Sequence, residues 1–293
     1  MRLDDEAESQ NVEDRRGGSG GSGGRRATIG IGTIVVALAA SYFFGIDPRV
    51  IIQGASVLQG SQSTQTAQQP APAPNRPPAT DQATVFTRKV LGNIERTWET
   101  VFETQLQRQY TPPRLVLFSH ATPTACGSGE SAMGPFYCPA DQKVYLDLAF
   151  FDELRQRFGA GGDFAQAYVI AHEVGHHVQK LLGISDKVDA ARRRAGEAQA
   201  NQLSVRLELQ ADCFAGVWAN NAQRANQQLI EPGDIEQGLK TAAAIGDDRL
   251  QRQSQGYVVP ESFTHGSSEQ RVYWLRQGLE SGDIRKCDTF AAR

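Results

Sequence analysis

The chain of 293 residues is long enough for one substantial domain with appendages, or for two small ones. Its 30 basic and 33 acidic residues leave a net charge of −3 with no basic cluster, which removes the electrostatic case for nucleic acid as a partner. Four cysteines (Cys126, Cys138, Cys213, Cys287) form no CxxC pair, which argues against a thiolate zinc site; they read as two disulfides in an oxidising compartment or four thiols in a reducing one.

Residues 1–26 are charged and then Gly/Ser-rich, a composition that cannot bury enough surface to fold, so a disordered tail is expected there. Ala27 to Gly45 carry no charge, and a helix of that length covers about the 30 Å of a hydrocarbon core. Arg15, Arg16, Arg25 and Arg26 precede the run and only Arg49 follows closely. The positive-inside rule then predicts a single-pass anchor in a bacterial cytoplasmic membrane, its tail inside and the rest of the chain outside, in the periplasm. The long polar lead, the length of the run and the want of a convincing small-x-small cleavage site before Asp47-Pro48 weigh against a cleaved signal peptide. Residues 46–82 read as a flexible linker rich in Gln, Pro, Ala and Ser, and 83–293 as the globular domain. On that topology the expected disulfides are Cys126–Cys138, closing a Gly-rich loop, and Cys213–Cys287, pinning the C-terminal tail to a helix.

Within the domain, Phe86, Val90, Ile94, Trp98 and Val101 recur at helical spacing and predict a helix over 83–109. Arg114–Phe118 reads as a strand, as do Phe136–Cys138 and Lys143–Leu148, joined through Pro139 and its neighbours. Asp163 is an expected N-cap for a helix running to about Leu182, stopped by Gly183. Further helices fit 187–222, 232–252 and 267–281. The expected class is α+β, mostly helical, with a small antiparallel sheet near the start of the domain.

The chemistry concentrates in VIAHEVGHHV, residues 169–178. His172 and His176 stand at i and i+4, on one helix face about 6 Å apart, where two imidazoles can share one zinc. Glu173 is turned about 100° round the helix, placed to hold the water on the metal and take its proton. The apolar lead-in makes the segment a buried helix, in which three polar side chains need a reason to be present. In LELQADC, residues 207–213, Glu208 and Asp212 share one face of a second helix. Glu208 supplies a third ligand and leaves a fourth position for water, and Asp212 can accept the free N–H of a ligand histidine. The flanking Leu207, Leu209, Phe214 and Trp218 argue against a merely solvated face.

HEVGHHVQ followed by ELQADCFAG resembles the bacterial neutral zinc metallopeptidase family. RLDDEAESQNVEDRRG, GPFYCPADQKVYLDLAFF and FTHGSSEQR are similar to it too, so the resemblance covers nearly the whole chain except the linker. It implies a gluzincin-type, zincin-like domain with a single membrane anchor. The Glu-x-x-Ala-Asp pattern is also similar to multispan prenyl-protein and heat-shock membrane endopeptidases. His265 and Arg271 resemble those enzymes' Thr-His-Pro…Arg segment, with Gly266 in place of the proline. His265 is thus a candidate donor to the oxyanion of a cleaved peptide bond, or else a cap for the helix starting near Ser267, with Arg271 orienting it or pairing with Asp212. His177 points elsewhere on its helix and reads as structural or as a rim residue, and Tyr168 and Trp274 as core. The expected function is zinc-dependent endopeptidase action on peptide or protein; the alternative is a zinc-stabilised extracytoplasmic scaffold without turnover.

Overall fold

A computed structural model describes residues 1–16, 81–159 and 161–291. The predicted anchor at 27–45 and nearly all of the linker lie outside these residues, and among the described residues no helix is long and apolar enough to cross a membrane.

Asp81 is extended and its side chain accepts from Thr84 N, capping α1 (Gln82–Val101). Val90, Ile94, Trp98 and Val101 of α1 are fully buried, as their spacing predicts. The helix widens into one π turn, Phe102–Leu106, that ends at Gln107 in the left-handed region. It therefore stops short of the expected residue 109.

The strands are β1 (Val12–Asp14), β2 (Arg114–Phe118), β3 (Ala121–Thr124), β4 (Gly127–Glu130), β5 (Phe136–Cys138) and β6 (Lys143–Asp147). They form a four-stranded sheet in the order β1-β2-β6-β5 and a separate β3-β4 hairpin. The main sheet is mixed rather than antiparallel: β1 and β6 both run parallel to β2, and only β5 is antiparallel to its neighbour. A central strand flanked by parallel neighbours is covered on both faces, which explains the unbroken apolar run of β2. Its Leu115 and Leu117 enter the main helical core, while Val116 and Phe118 join Cys138 and Tyr145 in a small cluster on the other face. Cys126–Cys138 bridges the end of the hairpin turn to β5.

A correction concerns the first sixteen residues. They are not a disordered tail: Val12–Asp14 adds the outermost strand to the sheet, and Leu3 and Ser9 are buried. The described residues on either side of the linker belong to one compact unit.

The helices that follow are α2 (Ala149–Phe158), α3 (Asp163–Leu181), α4 (Ile184–Arg192), α5 (Glu197–Ala225), α6 (Asp234–Ala244), α7 (Asp247–Gln255) and α8 (Ser268–Ser281). Gly162, not Asp163, is the N-cap of α3, and Asp163 sits in its first turn where a carboxylate favours the helix dipole. Gly183, at φ 71°, ends α3 and begins α4. The expected helix 187–222 is two helices, broken at residues 193–196, and 232–252 is likewise divided between Ala244 and Asp247. α5 packs along both α3 and α8, which puts the motif of α3 and the carboxylates of α5 face to face. Cys213–Cys287 ties the middle of α5 to the chain beyond α8.

Candidate metal centre

α3 carries His172, Glu173 and His176, and α5 carries Glu208 and Asp212. The two helices approach closely because Gly175 faces Ala211: a Cβ on Gly175 would lie 3.1 Å from the Ala211 carbonyl oxygen. Across that contact His172 Nε2 is 3.2 Å from one Glu208 oxygen and His176 Nε2 is 3.4 Å from the other. Ligands held about 2.0–2.1 Å from a tetrahedral ion stand about 3.3–3.4 Å apart, so the three side chains are spaced as a zinc tripod.

The outward nitrogens settle how the inward ones are used. His172 Nδ1 lies 2.8 Å from Asp212 Oδ1 and donates to it. His176 Nδ1 lies 2.9 Å from Gln179 Oε1, whose own amide nitrogen donates to the Leu207 carbonyl at 2.7 Å and so fixes the oxygen as acceptor. With both Nδ1 atoms donating, each Nε2 turns a lone pair toward the Glu208 carboxylate. Such a group repels itself unless a cation stands between its members, and zinc with nitrogen and carboxylate ligands fits. Without a metal, protons take that place. Burial lowers the His172 pKa, but Asp212 and Glu208 outweigh it and raise it to about 10. Burial would raise Glu208, yet the two histidines hold it well below the usual carboxylate range.

Behind His172 stands a polar network. Asp212 is fully buried and pairs with Arg271 through two contacts, Nε to Oδ2 at 2.8 Å and Nη2 to Oδ1 at 2.9 Å. Tyr168 OH donates to the same Oδ1 at 2.5 Å. Burial would raise the Asp212 pKa, but Arg271 and His172 lower it to about 2. Arg271 therefore serves Asp212; of its two expected roles the structure shows this one. Tyr168 is core by its ring and part of the site by its hydroxyl.

Glu173 lines the cleft in front of the tripod, a space of about 650 Å³ that also reaches Met133, Phe136, Tyr137, Leu207 and Leu250. Burial raises its pKa against the opposing pull of the two histidines. His265 lines the same cleft. Its backbone N–H donates to Asp247 Oδ2 at 2.6 Å and its Nδ1 lies 3.1 Å from Asp247 Oδ1, which leaves Nε2 for the cleft. It does not cap α8: Ser267 does, in a capping box with Gln270.

Sequence reasoning missed Asp247, Gln179 and the hydroxyl of Tyr168. Asp247 opens α7 and also accepts from the backbone of Thr264 and Gly266. The break of the predicted 232–252 helix just before it, at Gly246, was the signal available. His177 faces away from the tripod, between Tyr137 OH at 3.0 Å and the Thr111 carbonyl at 2.7 Å, and so fastens α3 to β5. His120 is outside the cleft; its backbone N–H donates to Asp147.

A family model described as "Putative neutral zinc metallopeptidase" matches residues 1–290. Among curated relatives, the Escherichia coli K12 protein described as "Uncharacterized protein YpfJ" is 50% identical over 99% of both chains. The Mycobacterium tuberculosis H37Rv protein described as "Uncharacterized protein Rv2575" is 47% identical over 62% of this chain and 64% of its own. No solved structure matches.

Proposed function

We propose, from the premise that this chain belongs to the neutral zinc metallopeptidase family, that it is a zinc-dependent endopeptidase. The observation that carries the reading is the tripod of His172, His176 and Glu208, with both imidazoles locked from behind and Glu173 beside it in an open cleft. A structural zinc is closed by four protein ligands, whereas three with a cleft in front is the catalytic pattern.

Bound there, zinc would supply a Lewis acid with a position open to water and to the scissile carbonyl. Glu173 takes a proton from the attacking water and returns it to the departing amine. His265, steadied by Asp247, donates from Nε2 to the oxyanion as the carbonyl becomes tetrahedral. The apolar and aromatic rim at Met133, Phe136, Tyr137 and Leu207 suits an extended peptide or unfolded protein. The two disulfides support work in an oxidising compartment outside the cytoplasm.

The test is hydrolysis of an unfolded protein by the purified chain with zinc, with a chelator, and as Glu173→Gln. The expected result is cleavage in the first case only, with the variant keeping a full complement of zinc. Zinc-loaded wild type that cleaves none of a diverse set of unfolded substrates would instead favour the zinc-stabilised scaffold.

A further inference from the structure

The face of α1 that looks away from the core is written to the first sixteen residues. Lys89 Nζ donates to the Leu3 and Asp4 carbonyls at 2.8 and 2.9 Å. Glu95 accepts from the Ser9 hydroxyl and the Asn11 amide, both at 2.9 Å. Arg96 pairs with Glu6. Between these, Gly92 leaves room for the segment itself: any Cβ there would collide with the Ala7 carbonyl. A glycine in mid-helix, among charged side chains that meet carbonyls, polar groups and one carboxylate of a distant stretch, is the imprint of a bound peptide. The edge of β2 completes the acceptor, pairing Val12, Glu13 and Asp14 with Leu115, Val116 and Leu117.

Two further contacts fix where the intervening stretch leaves and returns. Arg16 Nη2 lies 3.0 Å from Asp81 Oδ2 and 2.5 Å from Thr84 Oγ1, so the two ends of residues 17–80 meet at one ion pair. Arg15 is occupied as well, with Glu13 at 2.8 Å and the Thr122 hydroxyl at 3.1 Å. Two of the four arginines that argue for a cytoplasmic N-terminus thus have partners within the fold.

We propose that α1 and the edge of β2 hold residues 1–16 of this chain in place at neutral pH, and that this segment and the catalytic domain lie on the same side of any membrane the chain touches. A membrane that separated Arg16 from Asp81 would break the ion pair between them. This rests on the docked segment alone and stands apart from the peptidase reading.

The test uses the full chain in right-side-out spheroplasts of a bacterial host, with Gln10→Cys in the segment and Gln253→Cys in the domain, made separately. Both positions are exposed, and all four native cysteines are in disulfides. A membrane-impermeant maleimide is applied before and after lysis. Both positions labelled before lysis, or both only after it, is the expected outcome. One labelled before and the other only after overturns the proposal. Docking itself is read on purified protein: Gly92→Leu should raise the rate of proteolytic cleavage within residues 1–16 at least tenfold without altering the fragments from the domain. An unchanged rate would show that the segment is not held on α1.

Discussion

Asp212 Oδ1 takes three hydrogen bonds at once, and the one from His172 Nδ1, at 2.8 Å, is the one that turns His172 Nε2 toward Glu208. Arg271 keeps the carboxylate ionised, so His172 is held as the tautomer whose Nε2 faces Glu208. In Asp212→Asn the acceptor loses its charge, and zinc affinity should fall about 10- to 100-fold. Competition against a chromophoric chelator measures it, with circular dichroism to check that the buried Arg271 has not unfolded the chain. Unchanged affinity would mean that the geometry of α3 alone orients the ring.

His265→Phe should lower kcat by about 10²–10³ while zinc content stays full and Tm moves little, because Ser267 already caps α8. Asp247→Asn should lower kcat less and add a loss of stability, since Asp247 also holds three backbone N–H groups. Equal turnover in His265→Phe and wild type would remove this residue from the chemistry.

Reducing Cys213–Cys287, which closes a separation of 74 residues, should cost about 4 kcal/mol by loop-closure entropy. Urea titrations of wild type and of Cys213→Ser/Cys287→Ser read it directly. Because Gln210 donates to the Cys287 carbonyl and Gln179 reaches Gln210, zinc affinity should weaken as well. A variant with full stability would show the covalent tie to be redundant with the packing of α5 on α8.

Acid should release the N-terminal segment. Burial would raise the Asp81 pKa, but the hydrogen bond from Thr84 and the Arg16 guanidinium lower it to about 2, and Asp14 is lowered in the same way by Arg16. Carboxylates depressed in the folded state add stability that is fully present above their ordinary pKa near 4 and lost as pH falls through the folded value. Pepsin cleavage within residues 1–16 should therefore accelerate between about pH 4 and pH 2, and less steeply in Asp81→Asn. Equal pH profiles would place the docking energy elsewhere, on β1 and Gly92.

The tripod was legible because its members obey local geometry: two histidines one turn apart on a buried helix, and a carboxylate on another apolar helix. Asp247 and Gln179 were not, since a carboxylate at a helix start and a glutamine one turn beyond a histidine acquire roles only once distant segments pack on them. The helices of α4 and α5 merged in the sequence because residues 193–196 lack a proline, and four residues suffice to turn the chain. The first sixteen residues misled by composition: they carry few apolar side chains, and their docking is written in charges on α1, which a hydrophobic pattern does not register. The same blindness hid the parallel pairing of β2, whose partners lie far from it along the chain.

Gly175 sits between the two ligand histidines as the residue without a side chain. Its contact with Ala211 works as a gauge block: the width of one missing methyl sets how far apart the two halves of the metal cage stand. A methyl placed there would prise α5 back by a few tenths of an ångström and carry Glu208 with it, widening a bite that now spans 3.2 to 3.4 Å. Any cation held by His172, His176 and Glu208 would thus be selected partly by an atom the protein does not have.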